Sequence, residues 1–443
     1  VNTDGAKFVA DAVEAGAAAI LIGKQSLEAD VSVPVVRVDD PRRALALVAA
    51  RYYARQPRTV AAVTGTNGKT SVAVFLRQIW EKVGHKAASL GTVGLVAPGH
   101  EIAGNLTTPD PVRLHEILAD LASDEVTHLA LEASSHGLEQ RRLDGVRLAA
   151  GAFTNVSRDH LDYHGTLEAY IKAKFRLFDT LLPKGAAAVA DADRPEAGTV
   201  ERVAEERGLE FFSVGQKGET LKLVSTTRMH DGSRLLVEAW GEKYYVPLPL
   251  VGHFQISNAL VAAGLAIATG VEVGKALDAL AELKGASGRL ELVGTHPTGA
   301  LVFVDYAHTP DAIANALTAL RPHAPGRLVV VLGAGGDRDA GKRPQMGEAA
   351  AANADQVIVT DDNPRSEDPA AIRHAVLEGA PDAHEIGDRR AAIRAAVSGL
   401  GDGDILLIAG KGHETGQTIG DEVHPFSDQE EAASALRSVG GEA

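Results

Sequence analysis

The sequence predicts an α/β fold built on a parallel sheet, with a phosphate-binding turn in its first third. Three observations carry this. Apolar, strand-like runs open again and again into polar, glycine-bearing loops. One such run, residues 59–63, leads through Gly65-Thr66-Asn67-Gly68-Lys69-Thr70-Ser71 into a segment where Val72, Phe75, Leu76, Ile79 and Val83 recur at helical spacing. Residues 209–246 break the pattern: rich in Val, Leu, Tyr, Ser and Thr, they read as antiparallel strands inserted late in the middle of the chain.

Taken in order, residues 1–57 carry little chemistry. Residues 8–13 read as a helix, 18–22 as a strand and 41–55 as a second helix, too few elements for a many-stranded domain. Then come the strand-to-loop transitions. Residues 127–131 lead to Glu132-Ala133-Ser134-Ser135-His136, and 149–153 lead to Thr154-Asn155. Residues 301–304 lead to Asp305-Tyr306-Ala307-His308, and 327–332 to Gly333-Ala334-Gly335-Gly336-Asp337-Arg338. Residues 356–359 lead to Asp361-Asp362-Asn363-Pro364-Arg365, and 404–408 to Gly410-Lys411-Gly412-His413-Glu414. Ligands of open α/β sheets sit at the carboxyl ends of strands, where these clusters fall. Gly285-Ala286-Ser287-Gly288 reads as a linker to a further domain.

The chain's 443 residues suit two to four domains, and its 45% hydrophobic content is ample for their cores. A net charge of −15 with no basic tract argues against a nucleic-acid partner. No run of about 18 apolar residues predicts a membrane span. Residues 1–7 do not read as a signal peptide, and the absence of cysteine excludes disulfides and thiolate metal sites. The expectation is a cytoplasmic protein.

The glycines of the 65–71 turn let backbone N–H groups face phosphate oxygens, and the following helix start adds unpaired donors and a positive dipole end. Lys69 supplies a point charge, and the Thr70 hydroxyl can ligate Mg²⁺. The general phosphate-loop pattern places glycine where Val63 stands, so the spacing here is a shorter form. A bound ATP needs a divalent cation, and Glu132 at a strand end is the first further ligand expected. His160 is the second, in the loop Asn155-Val156-Ser157-Arg158-Asp159-His160-Leu161-Asp162-Tyr163-His164-Gly165, which is dense in His and Asp. Alone, Glu132 also suits a helix cap and His160 a structural histidine. Lys174, on an amphipathic helix, reads by itself as a solvated lysine.

Eight motifs in order resemble the Mur ligase family, in its branch that adds a diamino acid to UDP-N-acetylmuramoyl-L-alanyl-D-glutamate. They are Thr64 to Thr70, Thr107-Thr108-Pro109, Glu132 to Leu138, Asn155 to Gly165, Asp305 to Pro310, Gly336 to Asp339, Asp362 to Arg365 and Gly410 to Glu414. The resemblance runs from about Asp4 to Asp428. It implies three domains: a UDP-binding domain at 1–57 that looks abbreviated, a central P-loop domain with a parallel sheet at 58–286, and a Rossmann-like amino-acid-binding domain at 287–443.

The resemblance also assigns roles. Gly65 through Ser71, Asn155, Asn258, Arg289 and Asp305 would contact ATP. Thr107, Thr108, Ser134, Gln140 and Arg142 would hold the UDP-muramoyl-dipeptide. Lys174 falls where the family carries a carbamylated lysine, which with Thr70, Glu132 and His160 would ligate Mg²⁺. Arg338, Asp362, Asn363, Pro364, Arg365, Gly410 and Glu414 occupy the diaminopimelate positions. Where the family usually has Phe-Asn, this chain has Phe254-Gln255.

The reaction implied is ATP-driven amide formation through an acyl phosphate, and a monomer is expected. Arg365 favours an amino acid with a free carboxylate and Glu414 suits its distal ammonium, while L-lysine and L-ornithine stay open as alternatives. Another ligase of the superfamily, such as folylpolyglutamate synthase, and a P-loop ATPase switch are the rivals. The family carries more chain before Asn2, so an impaired fragment with weak affinity for the UDP-sugar is a further expectation.

Overall fold

A computed structural model describes residues 5–24, 31–102, 104, 106–157, 159–229 and 231–443. Arg158 of the histidine-rich loop lies outside them, as does the side chain of Asp162. The chain forms two compact units: residues 1–69, 80–213 and 265–271 make the first, and 70–79, 214–264 and 272–443 the second.

In the first unit, strands Ala187–Asp191, Ala150–Phe153, Thr59–Thr64, His128–Glu132 and Ala87–Gly91 lie side by side and pair in parallel. Strand Glu210–Gly215 flanks one side and the antiparallel Gly94–Ala97 and His100–Ile102 the other. The central strands read as unbroken runs of Ala, Val and Leu because both faces are covered: Val60 to Val63 and Leu129 to Leu131 are fully buried. The core continues into Leu114, Leu118 and Leu121 of helix Pro111–Ser123 and Phe175 and Phe178 beyond the histidine loop. The start of the chain holds helix Val9–Glu14 and a two-stranded parallel pair, Ile20–Ile22 with Val35–Arg37, around its own small cluster. Helix Pro41–Tyr53 is capped by Asp40.

The second unit contains an antiparallel meander, Leu221–Arg228, Ser233–Ala239 and Glu242–Leu248; of the stretch 209–246 expected to be antiparallel, strand Glu210–Gly215 differs, pairing in parallel with Leu221–Arg228 through Val214 and Gly215. Its main sheet has the order Glu291–Thr295, Leu301–Asp305, Ile405–Ala409, Leu328–Leu332, Gln356–Val359, His384–Glu385. All its pairings are parallel except that of the first strand. Apolar clusters fill both faces. Residues 283–290 form no helix or strand. The composition gave no hint of the small hairpin Gly416–Ile419 with Glu422–Pro425.

Seven of the eight motifs follow the carboxyl ends of parallel strands; Thr107-Thr108-Pro109 follows the antiparallel His100–Ile102 instead. Among the described residues no helix is long and apolar enough to cross a membrane.

Candidate active site

The first unit's site grows from the turn between strand Thr59–Thr64 and helix Lys69–Lys82. Gly65 (φ +145°) and Gly68 (φ +86°) adopt backbone that side chains oppose. At Gly65 a Cβ would also stand 1.9 Å from Thr154 Oγ1. The neighbouring strand end braces the turn: Asn155 O accepts from Thr66 N (2.8 Å), and Thr154 Oγ1 donates to Asn67 O (2.6 Å). Asn155 Oδ1 accepts from Asn67 N at 3.0 Å, so this expected nucleotide contact also shapes the loop. Lys69 Nζ curls over the turn and donates to Gly65 O (3.0 Å) and Thr66 O (2.8 Å).

Lys174 donates to the same Gly65 carbonyl at 2.7 Å, although it lies 109 positions along the chain. It is 1% exposed, which overturns its local reading as a solvated residue. Helix periodicity did put Tyr170, Ala173 and Lys174 on one face, but periodicity cannot say that a strand-end loop closes over it. Burial, reinforced by the Lys69 charge, holds the Lys174 ammonium well below the ordinary lysine range, with Asp159 opposing. Its Nζ stands 4.3 Å from the centre of the Tyr170 ring. Burial likewise pushes the Tyr170 phenol up to about 12, while its contact with Thr66 Oγ1 (3.0 Å) pulls the other way.

Glu132 is 1% exposed at its strand end. Its carboxylate accepts from Thr92 N (2.8 Å) and Thr92 Oγ1 (3.2 Å). The five residues expected at the dipeptide site form a connected group with it. Thr107 Oγ1 meets Thr92 Oγ1 at 3.0 Å, and Thr108 Oγ1 donates to Glu132 O at 2.8 Å and lies 3.1 Å from Ser134 Oγ. Arg142 donates to Thr108 O (2.6 Å) and to Gln140 Oε1 (2.8 Å), and Gln140 donates to the Tyr163 hydroxyl (3.0 Å). Thr92 and Tyr163 are parts of this group that the motifs did not single out.

His160 stands in left-handed backbone (φ +51°), its ring 4.8 Å from that of His136. Among the described residues no three His, Asp or Glu side chains are gathered to hold a metal. A magnesium ion keeps several waters and takes its remaining ligands from one or two carboxylates and substrate phosphates, so isolated oxygen donors beside a phosphate loop still suit it.

In the second unit, Asn258 on helix His253–Ala268 is 5% exposed and donates to Gln255 Oε1 at 3.0 Å. Gln255 in turn donates to Arg289 O at 3.1 Å, so the departure from Phe-Asn has a structural use. Arg289 lies over the Tyr306 ring, 4.8 Å from its centre. Burial raises the Asp305 carboxyl, against the pull of Arg289 and of bonds from Leu290 N (2.6 Å) and Ala307 N (2.8 Å).

The loop from Asp362 to Arg365 is held from two sides. Asn363 donates to Glu414 Oε2 (2.8 Å) and accepts from Lys411 Nζ (3.1 Å) and Thr418 N (2.9 Å). Gln417 donates to Asp362 O (2.7 Å), and Arg365 N donates to Thr418 O (3.1 Å). Arg365 has φ +52° and one guanidinium nitrogen on Gly336 O at 2.7 Å. Pro364 O packs where a side chain at Gly336 would stand, and Asp362 Oδ2 where one at Gly410 would stand. Arg338 is exposed and turned onto Asp337 O. Lys411, Gln417 and Thr418 were given no role by the sequence. Only a pairing partner 50 positions away reveals them.

Residues 63–266 match the Mur ligase middle domain, and residues 288–412 the Mur ligase, glutamate ligase domain. A curated protein of Mesorhizobium japonicum is 60% identical over 436 residues, covering 98% of this chain and 90% of that protein. The chain belongs to the Mur ligase family. The Mesorhizobium protein is named UDP-N-acetylmuramoyl-L-alanyl-D-glutamate--2,6-diaminopimelate ligase, as is a relative from Chelativorans sp. at 58% identity, with the same coverage of 98% and 90%. A solved structure of a ligase of that name is 34% identical, with a TM-score of 0.73 over 98% of this chain and 89% of its own. As a Mur ligase this chain is an enzyme, an ATP-dependent ligase, and its α/β architecture is the family's.

Proposed function

We propose that this ligase joins meso-diaminopimelate to UDP-N-acetylmuramoyl-L-alanyl-D-glutamate, in the making of peptidoglycan precursors. The observation that carries the reading is the 60% identity, along 98% of the chain, to a ligase named for that reaction. The hydrogen-bonded groups around Lys69 and Glu132, and around Asn363 and Glu414, support it. The work divides among a UDP-binding domain at 1–57, an ATP-binding domain at 58–286 and an amino-acid-binding domain at 287–443. The protein acts as a cytoplasmic monomer.

A carboxylate is a poor acyl donor because it would have to expel oxide. The side-chain carboxylate of the D-glutamyl residue therefore attacks the γ-phosphorus of ATP, and ADP leaves. The amine of the diamino acid, having lost a proton, attacks the acyl carbon, and phosphate leaves with the electron pair of the broken C–O bond. Gly65 through Ser71, Asn155, Asn258, Arg289 and Asp305 bind ATP, and Lys69 offsets the charge that grows on the transferred phosphoryl group. Thr107, Thr108, Ser134, Gln140 and Arg142 hold the UDP-muramoyl-dipeptide, with the Arg142 fork suited to a carboxylate or phosphate.

Burial lowers the Lys174 pKa and so favours its neutral amine, the form that adds to CO₂. With release of a proton the product is a carbamate, an anion that would ligate a cation with Glu132, His160 and Thr70. Mg²⁺ held there supplies a Lewis acid for the phosphoryl oxygens. Arg338, Asp362, Asn363, Pro364, Arg365, Gly410 and Glu414 select the diamino acid.

The test is a mass analysis of the product formed from ATP, Mg²⁺, the UDP-muramoyl-dipeptide and a panel of meso-diaminopimelate, L-lysine and L-ornithine. The expected result is one tripeptide product, containing diaminopimelate, with phosphate released only when both acceptor and donor are present. Phosphate release without them, or a lysine or ornithine product in preference, overturns the reading.

A further inference from the structure

Lys411 is the charged residue of the Gly410-Lys411-Gly412-His413-Glu414 run that is completely enclosed. Its side chain is 0% exposed, whereas that of Glu414 is 33% exposed. Gly410 (φ +123°) and Gly412 (φ +54°) bend the chain on either side of it. A Cβ at Gly412 would lie 2.6 Å from the Tyr306 Cβ, so the loop is pressed against that residue.

The Lys411 ammonium closes a three-membered ring of contacts. It donates to Asn363 Oδ1 at 3.1 Å and to Glu414 Oε2 at 3.4 Å, and Asn363 Nδ2 donates to the same Glu414 oxygen at 2.8 Å. Asn363 Oδ1 receives a second bond from Thr418 N at 2.9 Å, which ties the ring to the small hairpin. A buried ammonium is tolerated only with a counter-charge and satisfied donors, and Glu414 provides the charge. Both inward bonds fall on Oε2, so the carboxylate is fixed with Oε1 left for another partner. Asn363, with both lone pairs of Oδ1 taken, serves the ring as a strut.

Resting on the reading above, we propose that Lys411 is a positioning residue: it locks the Glu414 carboxylate, through Asn363, in the orientation that receives the ammonium of the diamino acid. Lys411 itself is enclosed and touches no substrate.

The test compares wild type, Lys411→Met, Glu414→Gln and the double variant, with each substrate varied in turn and thermal unfolding recorded for all four. Loss of one hydrogen-bonded charge contact should raise KM for meso-diaminopimelate in Lys411→Met by about 10- to 100-fold. KM for ATP and for the UDP-muramoyl-dipeptide should stay within about twofold, as a general loss of structure would not allow. In the Glu414→Gln background the same change should add little, since its target is already gone. An unmoved KM for meso-diaminopimelate, equal rises for all three substrates, or additive effects overturn the proposal.

Should Lys411→Met fail to fold, Glu414→Gln decides by itself. Removing the counter-charge of an enclosed lysine should lower the Tm by several degrees, although Glu414 is partly exposed, and an unchanged Tm overturns the coupling. If wild type forms no product with meso-diaminopimelate, the functional reading fails, while the thermal comparison still decides whether Lys411 and Glu414 are coupled.

Discussion

Gly65→Ala puts the phosphate-loop geometry to its sharpest test. At φ +145° an alanine is strained, at about 1–3 kcal/mol. Its Cβ would stand 1.9 Å from Thr154 Oγ1 and 3.1 Å from both the amide nitrogen and the carbonyl oxygen of Asn155. Backbone cannot swing aside, so Thr154 must turn away and give up its 2.6 Å bond to Asn67 O, a further 1–2 kcal/mol or so. The total is about 2–5 kcal/mol. It falls on the carbonyl that both Lys69 (3.0 Å) and Lys174 (2.7 Å) use as acceptor. We expect kcat/KM for ATP to fall at least about 30-fold, and the Tm by about 2–4 °C per kcal/mol. The control is Gly198→Ala, on helix Ala197–Arg207, where a Cβ meets nothing within 4 Å. It should leave activity unchanged and hold or raise the Tm. The assay is steady-state phosphate release with a parallel thermal melt. A Gly65→Ala enzyme within twofold of wild type, melting within 1 °C of it, would refute the reasoning.

The other expected outcomes concern three buried ionisable residues, Lys174, Asp428 and His128. Lys174→Met should abolish product formation without lowering the Tm at neutral pH by more than about 2 °C, because burial already disfavours the native ammonium. With its folded pKa depressed, Lys174 penalises the fold below that pKa and less so as pH rises toward 10.5, so the gain in wild-type stability across that window should shrink in the variant. Wild-type activity should fall when CO₂ is stripped from the buffer and return with bicarbonate, read as rate against dissolved CO₂. Asp428→Asn should cost about 3–5 kcal/mol in a denaturant melt, for it strands Arg389 in a pair that is 0% exposed on both sides, and Arg389→Met/Asp428→Leu should recover most of the loss. Burial, then the charges of His85 and Arg58, pulls His128 down to about 4. The unfolded chain then takes up a proton that the folded one refuses, so stability is lost as pH falls from about 6.5 to 4, and His128→Gln should flatten that slope in melts run at several pH values.

Much of the fold was legible because strand and loop alternate in the sequence with the period of the parallel sheet itself. The run at 356–359 is the observed strand Gln356–Val359, and the other motif-bearing strands shift by only a residue or so. The hairpin Gly416–Ile419 with Glu422–Pro425 was not legible: Ile419 and Val423 are exposed, so no buried face imposes an apolar alternation. Strand Ala87–Gly91 was passed over although every residue in it is buried, since a run of Ala, Ala, Ser, Leu and Gly shows no alternation of apolar and polar side chains. At the site, the glycine turn and its lysine announced themselves through contiguous spacing. Asn155 as a brace, Gln255 as a bridge and Thr92 on Glu132 did not, since each acts on a partner distant in sequence.

By itself, then, the order of residues determined the chemistry on offer: a phosphate turn, strand-end carboxylates and loops rich in amide and guanidinium groups. Tertiary structure decided which of those groups are charged, fixed or shared. Lys174 is an ordinary exposed cation by helix spacing and an enclosed amine whose pKa burial lowers once residues 65 and 174 meet. Ionisation and hydrogen bonding depend on what surrounds an atom within a few ångströms, and only folding brings such neighbours together.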